Sequence, residues 1–351
     1  MELFETLAEM GHEEIVMASD PSCGYRGIIA VHSTALGPAL GGTRFWQYDT
    51  DEAAVIDALR LSRGMTYKNA VAGLDLGGGK SVIIGDNRTK HREAIFRAHG
   101  RAVESLGGRY ITAEDVGTGT ADMDYVHLET EHVAGLKEKS GDPSPVTAHG
   151  VFRAIQAAAK NRWGSDDLNG KVVTIQGVGN VGRYLAKELH DAGATLIVSD
   201  IDPERTARVA RETGATVVEG DAIYTQKADI FAPCALGGII NDENLPRLKV
   251  EIICGGANNQ LLEERHGYTL EEMGMQYTPD YVANAGGVIN VFGEVAGWDS
   301  ERALRKADEI YDTVLSVFEI AKAEGVPSFE AADRLAERRL ASVKKKWSPK
   351  A

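Results

Sequence analysis

The sequence predicts an α/β protein with two domains: a mixed α/β half, followed by a half built on a doubly wound parallel sheet. The chain has 351 residues, of which 43% are hydrophobic, enough for two domains with cores of their own. In the second half, short apolar runs alternate with helix-length amphipathic segments, a pattern typical of parallel strands joined by helical crossovers. A polar stretch at 136–145, rich in Gly and Pro, predicts a hinge between domains at 1–135 and 146–327.

Short β-branched runs and one apolar stripe define the first half. The runs predict strands at 27–32, 81–84 and 109–112. Between the first two, apolar residues at spacings of 4, 3 and 4 predict a helix over 51–65 whose buried stripe is Ala54, Ala58, Leu61 and Met65. This half is therefore expected to be mixed α/β.

The second half alternates more regularly. Strands are predicted at 171–176, 195–199, 216–219, 229–232 and 250–254, with helices at 180–191 and 203–213. One long helix is predicted from Ser300 to beyond Ala321, stopped by Gly325 and Pro327. A last helix from Ser328 ends in the solvated lysines 344–346, and we expect this segment, 328–351, to pack back on the first domain.

Charge and cysteine usage exclude several classes of partner. Asp and Glu total 52 against 38 Lys and Arg, a net charge of −14 that disfavours binding to nucleic acid or to an anionic membrane. No apolar run approaches the roughly 20 residues of a membrane span, and the acidic start lacks a signal-peptide pattern. The three cysteines are far apart and lack metal-ligand spacing. We therefore expect a cytoplasmic protein without a metal site.

The segment 177–182 reads Gly-Val-Gly-Asn-Val-Gly and is the most informative short motif. It follows an apolar strand directly and opens an amphipathic helix. Gly177 would make the tight turn, Gly179 would let the backbone approach a pyrophosphate, and Gly182 would let helix and strand pack closely. Asn180 and Val181 begin the helix, whose free N–H groups favour phosphate charge. This predicts a Rossmann-type dinucleotide site.

Asp200 stands 23 residues after Gly177, at the end of the next predicted strand. A carboxylate at this position can accept hydrogen bonds from both ribose hydroxyls and would repel a 2′-phosphate, so NAD is expected rather than NADP. Arg205 lies nearby and could instead pair with a phosphate.

Two lysines and an acidic segment are the candidate chemistry of the first half. Lys68 and Lys80 are twelve residues apart, and Gly77–Gly79 precede the second. This is a poor phosphate loop because Leu74 stands where GxxxxGK[ST] needs glycine. One lysine could hold a carboxylate while the other, with a lowered pKa, acts as a base; both could also be ordinary surface lysines. Spacing alone does not choose a proton donor among the acids at 114, 115, 122 and 124.

Taken together, these residues resemble the amino-acid dehydrogenases of the glutamate, leucine, phenylalanine and valine group, most of all its leucine-acting members. The resemblance spans nearly the whole chain through LGPALGGTRFW (36–46), RGMTYKNAVAGLDLGGGKSVIIGD (63–86), GGRYITAEDVGT (107–118), GDPSPVTAHGV (141–151), FAPCALGG (231–238), GGANNQL (255–261) and PDYVANAGGVINV (279–291).

The resemblance implies a role for each matching position. Lys80 matches the family's general base, which acts through a water; Lys68 matches the lysine that pairs with the substrate α-carboxylate; and Asp115 matches the acid that exchanges protons with the substrate nitrogen. Three further polar positions match residues near the nicotinamide or the substrate: Thr147, Asn258 and Asn284. The implied reaction converts an L-amino acid reversibly to its 2-oxo acid and ammonia, in a homo-oligomer.

Apolar residues match the positions that line the substrate side-chain pocket in the family. They are Leu40, Ala113, Val288 and Val291, with Gly42 beside the substrate. A glutamate-specific member would need a cation near Leu40, and Val288 favours aliphatic over aromatic side chains. We expect leucine first, then valine and isoleucine.

Two alternatives to this assignment stay open. The first is a phenylalanine-type dehydrogenase, favoured by FGEV at 292–295, where leucine-acting members have ADEL. The second is a non-catalytic nucleotide-binding sensor.

Overall fold

The computed structural model describes residues 2–136 and 142–343, which form two compact units. The first unit holds residues 2–136, 294–297 and 336–343, and the second holds 142–293 and 298–335. The domain limits expected from sequence, 1–135 and 146–327 with 328–351 on the first domain, remain predictions.

The first unit is an α/β layer structure. Its elements are α1 (Leu3–Met10), β1 (Glu14–Asp20), β2 (Tyr25–Ser33), β3 (Ala39–Trp46), α2 (Asp51–Val71), β4 (Gly77–Ile84), α3 (Arg92–Glu104), β5 (Tyr110–Glu114) and α4 (Thr120–His127). The strands form one sheet in the order β1-β2-β4-β3-β5, with β1–β2 and β2–β4 antiparallel and β3 parallel to both β4 and β5. The predicted mixed architecture is confirmed.

Helices cover both faces of this sheet, because successive strand residues point to opposite sides. On one face, Phe45 and Tyr110 pack with Phe96 of α3 and Met123 of α4. On the other face, strand residues including Val82 pack against Ala54, Val55, Ala58 and Leu59 of α2. The face toward α2 carries the residues of interest below.

Helix α2 is longer than predicted, and its buried face is rotated relative to the stripe predicted from the sequence. Leu61 and Met65 are only partly buried, whereas Val55 and Leu59 are fully buried. The buried face continues through polar residues that a hydrophobic pattern does not detect. Ser62 Oγ bonds His12 Nε2 at 2.9 Å, and Asn69 Nδ2 donates to Gly77 O at 2.6 Å. These partners stabilise six residues of helix beyond Met65.

Arg339 of the last helix completes the C-terminal end of α2. Its Nη1 donates to Ala70 O at 2.8 Å and Asn69 O at 3.3 Å, and its Nη2 donates to Asp75 Oδ1 at 3.1 Å. The last carbonyls of a helix have no partner within the helix, so a guanidinium is well suited to them. The turn that carries Lys68 is thus held by a residue about 270 positions later in the chain.

The second unit contains a parallel sheet and the remaining elements, apart from the ends of α10 and α13, which belong to the first unit. These elements are α5 (Ser144–Trp163), β6 (Val172–Gln176), α6 (Asn180–Asp191), β7 (Thr195–Ser199), α7 (Pro203–Thr213), β8 (Thr216–Val217), β9 (Ile230–Pro233), β10 (Ile252–Ile253), α8 (Arg265–Glu272), β11 (Gln276–Tyr277), α9 (Asp280–Ala283), α10 (Gly286–Val295), α11 (Ser300–Asp308), α12 (Ile310–Glu324) and α13 (Ser328–Ala341), with short 3-10 helices at Gly220–Thr225 and Leu245–Arg247. All strand pairs in the order β11-β10-β9-β6-β7-β8 are parallel. This confirms the predicted doubly wound sheet. Successive strands are added on one side of β6 as far as β8 and on its other side from β9 onward, so the strand order reverses between β6 and β9.

Three predicted segments differ from the structure. The long helix from Ser300 is divided at Glu309, whose N–H bonds to Lys306 O and so tightens the turn there. In the predicted hinge 136–145, residues 137–141 lie outside the described residues, but Ser144 and Pro145 begin α5, because proline suits the first turn of a helix. The last helix ends at Ala341, and the predicted lysine tail, 344–346, lies outside the described residues.

A buried hydrogen-bond cluster lies on the sheet face away from α2, centred on His99 of α3. Thr43 Oγ1 and Tyr25 Oη each lie 3.0 Å from a His99 ring nitrogen, and Ser81 Oγ lies 3.2 Å away. Burial lowers the pKa of His99 from 6.5 to about 3. The folded protein therefore keeps this ring neutral.

We expect His99 to make the protein sensitive to acid. Its folded pKa is below its unfolded value, so stability is complete above about pH 6.5 and falls by roughly 1 kcal/mol per pH unit as pH drops toward 3. Urea unfolding across this range should show a shallower decrease for His99→Gln than for the unchanged protein. His91→Gln, at an exposed position, should keep the full decrease. Equal slopes for all three proteins would contradict the assignment.

Candidate active site

Five residues singled out in the first half lie on, or directly after, three neighbouring strands of the first sheet, on the face toward α2. Alternation along β3, β4 and β5 places Leu40, Gly42, Lys80 and Ala113 on this face, and Asp115 follows β5 directly. Gly42 pairs with Ala113 across β3 and β5. The structure therefore brings these first-half residues together.

Lys80 and Asp115 form a buried ion pair. Lys80 Nζ lies 2.9 Å from Asp115 Oδ2, and the two side chains are 6% and 25% exposed. Burial lowers the pKa of Lys80, and the Asp115 charge only partly opposes this shift. Burial raises the pKa of Asp115, but Lys80 and Arg44 outweigh it and hold that pKa below its usual value. A lysine that loses its proton more readily beside an ionised carboxylate can serve as a base.

Glycines let the elements around this pair approach closely. A Cβ on Gly42 would lie 2.3 Å from Glu114 O and 2.8 Å from Asp115 Cβ. A Cβ on Gly78 would lie 2.1 Å from Thr66 N, in the helix turn before Lys68. Lys68 lies in the last turn of α2 and is half-buried. Gly78, before Lys80, therefore allows close packing of β4 on α2.

The structure separates the four candidate carboxylates that spacing left open. Asp115 contacts Lys80, whereas Glu114 is on the opposite sheet face by alternation. Asp122 pairs with Arg92 and accepts from Gly119 N at 2.9 Å, which caps α4. Asp124 lies within α4. Geometry therefore favours Asp115 as the acid that works with Lys80.

Arg44 and Asp57 belong to this cluster and were not among the predicted residues. Arg44 Nε donates to Asp115 Oδ2 at 3.2 Å, and its Nη1 donates to Asp57 Oδ2 at 2.7 Å. Arg44 stands within the segment LGPALGGTRFW that the resemblance had marked, so the signal was present, but only folding shows its partners.

The glycine segment of the second unit forms a tight turn between β6 and α6. Gly177 has φ of +87°, and a Cβ there would lie 2.5 Å from Ala235 Cβ. A Cβ on Gly182 would lie 2.0 Å from Gly177 O, whereas on Gly179 the nearest atom would be Arg205 Nη1 at 3.6 Å. Gly179 precedes Asn180 and Val181 as the N-cap of α6 and has no side chain to cap its first N–H groups. This cradle fits a pyrophosphate.

Asp200 lies beside this cradle and is engaged by the backbone. Its Oδ2 accepts from Val178 N at 2.8 Å and its Oδ1 from Asp202 N at 2.9 Å. Each carboxylate oxygen can accept a further hydrogen bond, so two ribose hydroxyls remain possible partners. Arg205 Nη1 is 4.0 Å from Asp200 Oδ1, and Arg205 Nε is 3.3 Å from Asp202 Oδ2. Carboxylates thus offset the charge of Arg205.

The remaining predicted residues of the second unit lie on α5 (Thr147), on α10 (Val288 and Val291), after β10 (Asn258) and after α9 (Asn284). A Cβ on Gly287 would lie 3.2 Å from Thr147 Oγ1, and that hydroxyl donates to Pro143 O at 2.9 Å. Asn284 Nδ2 donates to Asn258 Oδ1 at 2.8 Å. Val288 is buried and Val291 half-buried within α10. These polar and apolar groups belong to one unit, as do the glycine cradle and Asp200.

Two other kinds of site are absent from residues 2–136 and 142–343. No group of three or more His, Cys, Asp or Glu in this range could hold a metal ion. Nor does any helix here combine the length and apolar character needed to cross a bilayer.

We expect two substitutions in the glycine cradle to distinguish an effect on cofactor binding from an effect on folding. Gly179→Ala adds a methyl group in open space, so the melting temperature should stay unchanged while the Kd for a nicotinamide dinucleotide rises on the order of tenfold or more. Gly182→Ala forces a clash with backbone and should lower the melting temperature as well. Calorimetric titration and thermal unfolding check both variants. Unchanged dinucleotide affinity in Gly179→Ala would show that the ligand does not approach this turn.

Family models match most of the chain. Residues 12–132 match the model described as Glu/Leu/Phe/Val dehydrogenase, dimerisation domain, and residues 140–203 and 200–346 match the model described as Glutamate/Leucine/Phenylalanine/Valine dehydrogenase. The sequence-based resemblance is confirmed.

Relatives of known name agree over nearly full length. The chain is 56% identical to leucine dehydrogenase from Bacillus cereus over 347 residues, covering 98% of this chain and 95% of the relative. It is 47% identical to valine dehydrogenase from Streptomyces virginiae, with 95% of each chain covered. The solved structure of L-tryptophan dehydrogenase from Nostoc punctiforme superposes with a TM-score of 0.90 at 49% identity, covering 97% and 99% of the two chains. The chain therefore belongs to the Glu/Leu/Phe/Val dehydrogenase family.

Proposed function

We propose that this protein catalyses the NAD-dependent, reversible oxidative deamination of branched-chain L-amino acids, leucine first and then valine and isoleucine. The observation that carries the proposal is the buried Lys80–Asp115 pair, with its contact of 2.9 Å, in a chain 56% identical to a leucine dehydrogenase. The products are the 2-oxo acid and ammonia.

The acid–base steps are assigned to the first unit. Neutral Lys80 takes a proton from the water that attacks the substrate imine, and burial favours this neutral form. Asp115, held ionised by two cations, exchanges protons with the substrate nitrogen. Lys68, at the end of α2, pairs with the α-carboxylate as a fixed charge.

The cofactor site is assigned to the second unit. Gly177, Gly179 and Gly182 with Asn180 and Val181 would hold the pyrophosphate, and Asp200 would hold the ribose. Thr147, Asn258 and Asn284 are assigned to the nicotinamide end. A dinucleotide held by these residues would supply the acceptor for the hydride that leaves the substrate Cα. The nearly buried negative charge of Asp200 favours NAD over NADP, because a 2′-phosphate would meet like charge.

The preference for an aliphatic side chain follows from the residues assigned to its pocket. Leu40 and Ala113 of the first unit and Val288 and Val291 of the second, which the resemblance assigns to the substrate side chain, are all apolar, and an unpaired substrate carboxylate beside any of them would be costly to bury. Glutamate is therefore disfavoured. Discrimination among leucine, valine and isoleucine is small, about 1–3 kcal/mol per methylene.

A second candidate function is deamination of an aromatic amino acid. The L-tryptophan dehydrogenase relative is 49% identical over the whole chain, and 292–295 reads FGEV, the feature that favours a phenylalanine-type enzyme.

A homo-oligomer in the cytoplasm is also proposed. The first half matches a model described as a dimerisation domain, which supports association with further copies. Three free cysteines suit a reducing compartment.

A substrate panel tests the function directly. Leucine, valine, isoleucine, phenylalanine, tryptophan and glutamate are each offered with NAD and with NADP, and reduced cofactor is followed by its absorbance. We expect the highest kcat/KM with leucine and NAD, and little turnover of glutamate. A higher kcat/KM for phenylalanine or tryptophan would replace the proposal with the aromatic alternative. Turnover of none of them would overturn it.

Loss of the proposed base should remove catalysis and spare the cofactor site. Lys80→Ala is expected to lower kcat on the order of 10²–10⁴-fold, the usual contribution of a general acid–base group. The Kd for NAD should stay unchanged, since the glycine cradle belongs to the second unit. Lys90→Ala, an exposed lysine of the same unit, is the control and should keep full activity. Wild-type turnover in Lys80→Ala would show that the base is misassigned.

A further inference from the structure

Asp115 receives a second cation at the oxygen that contacts Lys80. Arg44 Nε lies 3.2 Å from Asp115 Oδ2, and Lys80 Nζ lies 2.9 Å from the same atom. Arg44 comes from the middle strand β3 of the three that carry this face, while Lys80 comes from its neighbour β4. Two donors in a fixed arrangement leave a carboxylate much less rotational freedom than one.

Arg44 is itself held from the opposite end of its guanidinium. Its Nη1 donates to Asp57 Oδ2 at 2.7 Å, and Tyr48 Oη donates to that same oxygen at 2.7 Å. Arg60 Nη2 donates to the other oxygen, Oδ1, at 3.1 Å. The Arg44 and Asp57 side chains are only 21% and 15% exposed, whereas Arg60 is 60% exposed. Arg44 therefore bridges two carboxylates that belong to different elements.

The result is a row of alternating charges across four elements: Asp57 of α2, Arg44 of β3, Asp115 after β5 and Lys80 of β4. The planar guanidinium suits this bridge, because its donors point in fixed directions to both carboxylates. A lysine has one compact charge and could not hold both in the same geometry.

We propose that Arg44 is a positioning residue for the reaction: through Asp115 it sets the orientation and the electrostatic environment of Lys80. The inference rests on the proposed function of the Lys80–Asp115 pair, and it assigns Arg44 no contact with substrate or cofactor.

The charge of Arg44 acts on both members of the pair in the same direction. Burial lowers the pKa of Lys80, Asp115 raises it, Arg44 lowers it again and Asp57 raises it. For Asp115, burial raises the pKa while Lys80 and Arg44 lower it. Removing the positive charge at position 44 should therefore raise both pKa values. Lys68, on α2, is left unchanged in every variant below.

The direction of the effect on activity follows from the protonation state of Lys80 that is active in catalysis. In oxidative deamination the neutral amine is required, so activity is lost as pH falls and Lys80 gains a proton. A higher Lys80 pKa moves this loss to higher pH. The substrate is the same in every variant. A displacement of the acid side of the pH profile therefore arises from a group of the enzyme and not from the substrate.

Arg44→Gln tests the inference through the pH dependence of leucine deamination with NAD. We expect kcat/KM to fall on the order of 10–100-fold and the acid side of its pH profile to move upward by on the order of one pH unit. Arg44→Lys restores the charge, so its profile should return close to the wild-type position, while kcat stays reduced because the bridge to Asp57 is broken. Arg60→Gln removes an equal charge at the exposed side of Asp57 and should leave both rate and profile unchanged.

The outcomes separate this inference from the function on which it rests. A wild-type protein that deaminates no amino acid contradicts the proposed function. If the wild-type protein is active and Lys80→Ala is not, but Arg44→Gln keeps the wild-type profile, Arg44 is a structural residue only and the inference is overturned. If Arg44→Gln does not fold, Arg44→Lys decides, because wild-type kcat in that variant would show that the bridge is not needed.

Discussion

The proposed chemistry of this protein depends on burying a lysine against a carboxylate. Charge separated from water is costly, and a buried ion pair is maintained only where geometry and further hydrogen bonds compensate for desolvation. Here the compensation comes from the row formed by Lys80, Asp115, Arg44 and Asp57, which places each charge next to an opposite charge. The burial that favours a neutral lysine is thus tolerated because neighbouring strands supply the counter-charges.

The same requirement explains the glycines of the first unit. Gly42 lets the end of β5 pass close enough for Asp115 to reach Lys80, and Gly78 lets α2 lie against β4. Larger side chains would separate the elements that bring the charges together. The glycine run before Lys80 is therefore understood as a packing device, while the glycines of the second unit combine a tight turn with an open surface at Gly179.

Sequence reasoning succeeded where local signals decide structure and was incomplete where distant partners do. The helices at 180–191 and 203–213 agree with the structure to the residue, since a glycine turn and a proline with an Asp cap fix their starts. The extension of α2 beyond Met65 was missed because Ser62, Thr66 and Asn69 are buried by hydrogen-bond partners, not by apolar character. Arg44 and Asp57 were missed for a similar reason, since 71 positions separate Arg44 from Asp115. Among four nearby acids, spacing alone did not distinguish Asp115; the resemblance pointed to it, and the fold places it against Lys80.

The contact of Arg339 with the end of α2 has a consequence for biosynthesis. Chains emerge from the ribosome N-terminus first, and most domains mature as soon as their residues are available. Here the carbonyl groups at the end of α2, in the turn bearing Lys68, accept hydrogen bonds from Arg339, which lies near the end of the described chain and is translated after the entire second unit. The first unit is therefore completed last, and a nascent polypeptide can assemble the parallel sheet of the second unit before the first unit is finished.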